Sequence, residues 1–186
     1  SRSIVYGESK DKVLRVTGVL AGGEHTVFGP CRGGDLVTGI GGPAGERLAA
    51  ALARVRERYR EPIATGFPHT SRCTSGYNLR ELLAPEPNLG RLLAGSEGSL
   101  ALFTELEVKL DPRPARRVGA ALTFAGLRAA LEANVSILET GPSAVEFLDL
   151  VPLRMASSLT RYRHMAPLLA GDEAALLTVE YQGTEE

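Results

Sequence analysis

Residues Gly95 to Pro114 read GSEGSLALFTELEVKLDPRP, and the two halves of this stretch ask for different structures. From Leu102 onward the side chains alternate. Leu102, Thr104, Leu106, Val108 and Leu110 fall on one face, and Phe103, Glu105, Glu107 and Lys109 on the other. That period of two predicts a half-buried core β-strand. The first half does not suit a strand. Gly95 fits the C-terminal cap of a preceding helix, but Gly98 and Ser99 add backbone freedom where a core strand wants bulk. A close-approach site for a polar ligand accounts for both, because backbone N–H groups and short hydroxyls then face it.

Upstream, KVLRVTGVL and HTVF flank Ala21-Gly22-Gly23-Glu24 and predict a β-hairpin over residues 12–28, its paired glycines supplying positive φ. The glycine-rich run 29–45 leads to an amphipathic helix opened by Pro43 and Ala44. Leu48, Leu52, Val55 and Tyr59 form its apolar stripe, and Pro62 is expected to stop it. The polar loop TGFPHTSRCTSGYN precedes a short helix for which Asn78 and Glu81 have capping-box spacing, and a second short helix follows Asn88 and ends at Gly95.

Downstream, DPRPARR (111–117) has two prolines, three arginines and no periodicity, which marks a boundary. Beyond it VGAALTFA, GLRAALEANVSILET, SAVEFLD, LVPLRMASSLTRYRHMAPLLA and AALLTVEYQG alternate as β-α-β-α-β. This predicts an α+β, ferredoxin-like arrangement with helices on one face of a small sheet.

The chain has 186 residues, enough to bury roughly 70% of its unfolded surface. Lys and Arg total 21 against 22 Asp and Glu, a balance that points to neither nucleic acid nor an anionic membrane. No apolar run approaches the ~20 residues of a membrane span. Cys31 and Cys73 lie far apart and form no CxxC, so neither a disulfide nor a zinc site is expected and a cytoplasmic location is. His25, His69 and His164 lack metal-ligand spacing. The chain opens at Ser1 and closes just after an apolar strand, and it reads as a piece of a longer protein.

Three other groups invite a functional reading. Gly39-Ile40-Gly41-Gly42-Pro43-Ala44 matches G-x-G-x-x-G/A before a helix, the pattern of a pyrophosphate loop, but the segment before it is short and half polar, so a plain loop is the stronger expectation. Cys73 beside Arg72 has the setting of an acidified thiol without a histidine base, and a helix-capping loop is favoured over a nucleophile. Glu146 and Asp149 could be paired carboxylates, against which stands a solvated strand edge.

The central stretch, LLAGSEGSLALFTELEVKLDPRP, closely resembles the L-x-G-S-E-G-T-L-x-x-x-T-E-x-x-x-x-L-x-P-x-P signature of FAD-linked oxidases. These flavoproteins are built like vanillyl-alcohol oxidase and para-cresol methylhydroxylase and include the D-lactate, glycolate and D-2-hydroxyglutarate dehydrogenases. SRSIVYGESKDKVLRVTGVLAGGE, TSGYNLRELL and SAVEFLD resemble further family segments in order and spacing, with a gap over residues 30–65. The resemblance implies the second lobe of a two-lobed FAD-binding domain, of antiparallel strands with helices, over residues 1–112. Part of a ferredoxin-like substrate cap would follow over 113–186. It implies transfer of a hydride from a small 2-hydroxy acid to FAD and onward passage of electrons to an acceptor. Carried over by position, Glu97, Gly98, Ser99, Leu100, Ala101, Leu102 and Phe103 would line the FAD, largely through main chain. Ser99 stands where the family usually has threonine and keeps the hydroxyl; Phe103 replaces a smaller aliphatic residue. SRSIVYG is most like members that carry an iron–sulfur domain further along the polypeptide.

The family's main pyrophosphate loop would lie upstream of this segment, and its substrate arginine and metal-binding histidines downstream. No catalytic or metal residue is therefore assigned here, and the segment alone is expected to bind FAD weakly and to show no turnover. Its partners would include the missing parts of its own chain. Two competing readings are a ligand-sensing or assembly module built on the ferredoxin-like half, and a nucleotide-binding protein using Gly39 to Ala44.

Overall fold

The structure, a computed structural model, describes residues 2–70, 72–149, 151–152, 155, 159–161 and 174–183. The architecture is α+β, with two antiparallel sheets. The chain divides into two units, one formed by Glu8–Leu110 and the other by Ser1–Gly7 together with Asp111–Glu186. The first helix, α1 (Ser3–Tyr6), belongs to the second of these.

In the Glu8–Leu110 unit, α2 (Ser9–Lys12) leads into the hairpin of β1 (Val13–Val19) and β2 (His25–Phe28). The connection differs from a tight paired-glycine turn. Leu20 and Glu24 close a three-residue loop, Gly23 N donates to Leu20 O at 2.8 Å, and of the two glycines only Gly23 takes positive φ, at 85°. That is the loop in which one left-handed residue follows an ordinary turn. β3 (Ile40–Gly41) and β4 (Leu102–Val108) complete a sheet of order β3-β2-β1-β4. β1 is central, and Val13, Val16 and Phe28 enter a core with Leu36, Ile40, Leu82 and Leu89.

The predicted amphipathic helix is α3 (Gly45–Arg58). Leu48, Leu52 and Val55 pack on the core as expected, whereas Tyr59 is the exposed C-cap with the Arg58 guanidinium 5.3 Å from its ring centroid. Pro62 does not stop the helical run. It sits in the first turn of α4 (Arg60–Thr65), where a missing N–H forfeits no intrahelical bond. The Asn78–Glu81 capping box does not form either. Leu79–Leu83 is a 3-10 turn, Asn78 Nδ2 donates to Arg91 O at 3.2 Å, and Glu81 Oε1 accepts from Asn88 N at 2.7 Å. Both side chains serve α5 (Leu89–Leu93) instead of their own helix end.

β4 forms where the alternation predicts it, but not as a half-buried core strand. All seven of its residues are exposed, with Leu102 at 71% and Leu106 at 54%. Among the described residues it is an edge strand paired only with β1, and the core gathers around β1, β2 and α5 without reaching it.

In the second unit, β5 (Arg116–Phe124), β6 (Ala144–Asp149) and β7 (Ala175–Gly183) pair in the order β5-β7-β6, antiparallel throughout. α6 (Leu127–Glu139) buries Ala130 against Ala175 and Leu177 of the central strand, with Phe124, Ile137 and Val145 around them. Its other stripe, Leu127, Leu131, Val135 and Leu138, is exposed. The N-terminal residues belong here through side chains: Arg2 makes two 2.7 Å bonds to the Glu180 carboxylate, and Tyr6 Oη donates to Gln182 at 2.5 Å. The helix expected over 150–170, with His164, lies largely outside the described residues.

Candidate functional site

α5 delivers the GSEG stretch. Asn88 caps it by accepting from Gly90 N at 2.9 Å, while its Nδ2 donates to the Val13 and Leu14 carbonyls of β1. Leu89, Leu92 and Leu93 are buried, so the helix is anchored before the chain turns. Gly95 then takes φ 84°, the left-handed conformation that ends many helices. At the far end Ala101 is buried beside Gly18 of β1, where an added Cβ would stand 3.3 Å from Ala101 Cβ and 3.0 Å from Leu102 O.

Between these anchors Ser96–Ser99 is a β-turn closed by Ser99 N donating to Ser96 O at 2.9 Å. Its central residues Glu97 and Gly98 both have positive φ, 50° and 78°, which makes it a mirror-image turn of type I′. Glycine accepts that conformation freely; for glutamate it costs on the order of 1 kcal/mol. Glu97 is the one described non-glycine residue in that region. Ser96 is 3% exposed and its Oγ has no hydrogen-bond partner, an arrangement that costs about 1–3 kcal/mol if left unmet. Strain and an orphaned hydroxyl thus coincide in one four-residue turn.

Tyr77 comes to the same place from the TSGYN loop. Its hydroxyl lies 2.9 Å from Ser99 Oγ, and Ser99 Oγ in turn donates to Ser96 O. The bond from Asn78 to Arg91 O holds this loop against α5.

Of the residues proposed from sequence, Glu97, Gly98 and Ser99 therefore share one exposed turn. Leu100 is half buried against the core and Ala101 fully buried, so these two are anchors. Leu102 and Phe103 stand exposed at the start of β4, on opposite faces of the strand. Sequence reasoning passed over Ser96 and Tyr77. SGYN was legible as a loop, but nothing local marks a tyrosine as the partner of a serine 22 positions away.

The two glycine-rich loops are opposites. A Cβ at Gly95 or Gly98 meets no atom within 4 Å. In the Gly39–Ala44 motif a Cβ at Gly39 would stand 2.5 Å from Cys31 Sγ, and one at Gly42 2.6 Å from His25 O. Gly45, which follows, has Ile40 O at 3.0 Å. Those glycines are required by close packing within the protein.

The remaining candidates resolve into structural roles. Cys73 is half buried, its N–H donating to Glu8 Oε1 and its carbonyl accepting from Lys10 Nζ, both at 2.9 Å, so it closes a loop clasp. The Lys10 hydrogen bond and ion pair hold the Glu8 carboxyl below its ordinary range. Cys31 is a core thiol, pushed up by burial and then by Asp35. Glu146 and Asp149 are three apart on β6 and so face opposite sides of the sheet, which prevents their acting as a pair. Among the described residues no group of three His, Cys, Asp or Glu side chains could hold a metal ion.

Comparison with known proteins gives this geometry a context. A D-2-hydroxyglutarate dehydrogenase of Pantoea ananatis is 31% identical over 159 residues, covering 83% of this chain. One of Escherichia coli is 28% identical over 193 residues and covers 99%. A cytochrome-type mitochondrial D-lactate dehydrogenase of Arabidopsis thaliana is 32% identical over 100 residues, 53% of the chain. Its relatives are D-2-hydroxyglutarate dehydrogenases of the FAD-linked oxidase family, which match most of this chain at about 30% identity. The chain spans only 16 to 19% of the length of these relatives. No protein-family model matches it. No described helix is long and apolar enough to cross a membrane.

Proposed function

We propose that this segment supplies part of the cofactor site of an FAD-dependent 2-hydroxy acid dehydrogenase, acting on a substrate of the D-2-hydroxyglutarate or D-lactate type. Glu8–Leu110 is read as part of the FAD-binding domain and the unit from Asp111 as part of the substrate cap. The observation that carries the reading is the Ser96–Ser99 turn: strained at Glu97, open at Gly95 and Gly98, and lined by a buried serine hydroxyl without a partner. Those features suit the approach of a polar group to main chain.

FAD, when bound, would accept the hydride that leaves the substrate carbon and later release the electrons. The segment's contribution is position. The N–H groups of Glu97 and Gly98 are not used in closing the turn and are left for a ligand. Glycine at 95 and 98 keeps bulk away from them, and Leu102 and Phe103 offer apolar surface that excludes water beside the turn. The same reading makes the rest of the polypeptide the natural cover for the apolar face of β4 and the outer stripe of α6. It also leaves the segment alone inactive, with any iron–sulfur cluster elsewhere in the longer chain. Two free thiols and a near-zero net charge suit a cytoplasmic protein that does not bind nucleic acid.

The test is the visible spectrum of the full-length polypeptide carrying this segment, before and after anaerobic D-2-hydroxyglutarate or D-lactate. Flavin bands that bleach support the reading. A protein that carries no flavin and takes none up from added FAD overturns it, and the ligand-sensing or assembly reading then leads.

A further inference from the structure

The three oxygens at the turn have a fixed proton order. Ser96 O is a carbonyl and can only accept, so the single Ser99 hydroxyl proton is committed to it. The Tyr77–Ser99 contact at 2.9 Å then requires Tyr77 Oη to donate and Ser99 Oγ to accept. Both hydroxyl protons are spent inside the protein. What remains is lone pairs, on Tyr77 Oη and Ser99 Oγ, beside the N–H groups of Glu97 and Gly98, which do not close the turn.

We propose that Tyr77 is a positioning residue for the bound cofactor: by donating to Ser99 it turns the hydroxyl pair into an acceptor, which receives an N–H or O–H group of the ligand while the turn's main chain donates to ligand oxygens. This rests on the FAD reading above. The geometry supports it twice over. The TSGYN loop is tied to α5 through Asn78 and Arg91 O, so the tyrosine is held in register with the turn that α5 delivers. Tyr77 is 42% exposed, so its hydroxyl does not serve to satisfy a buried group and is available at the surface of the site.

The experiment is a flavin titration of the apo form of the full-length polypeptide, with cofactor affinity read from fluorescence quenching and folding from the melting temperature of the apo form. Tyr77→Phe and Ser99→Ala are each expected to weaken FAD about five- to tenfold, as loss of one hydrogen bond does. The double variant is expected to be no weaker than either single one, because the two hydroxyls act as a unit. Ser99→Thr should bind as the parent does, and apo melting temperatures should stay unchanged. Wild-type affinity in Tyr77→Phe, independent losses that multiply in the double variant, or a matching fall in apo melting temperature would each overturn the proposal. Gly98→Asn separates this from the underlying reading, since asparagine tolerates positive φ and its side chain enters open space. Loss of FAD in Gly98→Asn with none in Tyr77→Phe refutes the tyrosine's role alone. Unchanged affinity in Gly98→Asn refutes the placement of FAD at this turn.

Discussion

Replacing Gly39 by alanine tests whether the Gly39–Ala44 loop serves packing or a ligand. The new Cβ would lie 2.5 Å from Cys31 Sγ, 3.0 Å from Gly29 O and 3.3 Å from Leu89 Cδ1. None of these can retreat easily. Cys31 and Leu89 are buried in the core, and Gly29 is bound to the same residue through its N–H to Gly39 O at 2.9 Å. Overpacking of a tight core costs about 1–3 kcal/mol, and three unyielding neighbours place this substitution near 3. At about 4–8 °C per kcal/mol for a unit of this size, the melting temperature should fall by roughly 12–24 °C. In a Cys31→Ala background the worst contact is gone, and the added cost of Gly39→Ala should drop to about 1 kcal/mol. The assay is thermal unfolding followed by circular dichroism, alongside flavin titration of the full-length polypeptide at a temperature where the variant is folded. A variant that melts within about 2 °C of the parent and yet loses its cofactor would refute the packing account and restore the loop as a phosphate cradle.

Asn88→Ala removes an N-cap bond and two side-chain donor bonds to β1 carbonyls, one buried and one part-buried, and should cost about 2–4 kcal/mol in equilibrium urea unfolding; a cost under about 1 kcal/mol would mean those bonds add little. Glu180 has its carboxyl held down to about 2, first by the hydrogen bond from Arg2 and then by Gln182. A depressed carboxyl contributes stability that is complete above the unfolded value near 4.5 and is lost as pH falls toward 2, so Arg2→Ala should flatten the acid limb of the melting curve across that window. An acid limb unchanged by the substitution would show that the pair does not form in solution. Leu106→Ser lies on an exposed strand and should change the stability of the segment by less than about 0.5 kcal/mol, yet cost about 1–3 kcal/mol in the full-length polypeptide if, as proposed, the rest of the chain covers that face. Equal effects in both would mean that β4 stays exposed there too.

What could be read from the amino-acid order alone was local. The period of two over Leu102–Val108 announces β4, Asn88 announces the start of α5, and Gly95 announces its end. Each depends on residues a few positions apart, where steric and hydrogen-bonding rules leave few options. Beyond that range the tertiary structure made the decision. β4 has the pattern of a half-buried strand but stands at a sheet edge, since alternation records which side chains share a face and not what covers it. Asn78 and Glu81 have capping-box spacing, but α5 offered both of them better partners. Gly39 and Gly98 are the same residue in similar glycine-rich surroundings. One is pressed against Cys31 and the other faces open space, because the folded path of the chain alone determines which atoms stand behind a missing side chain.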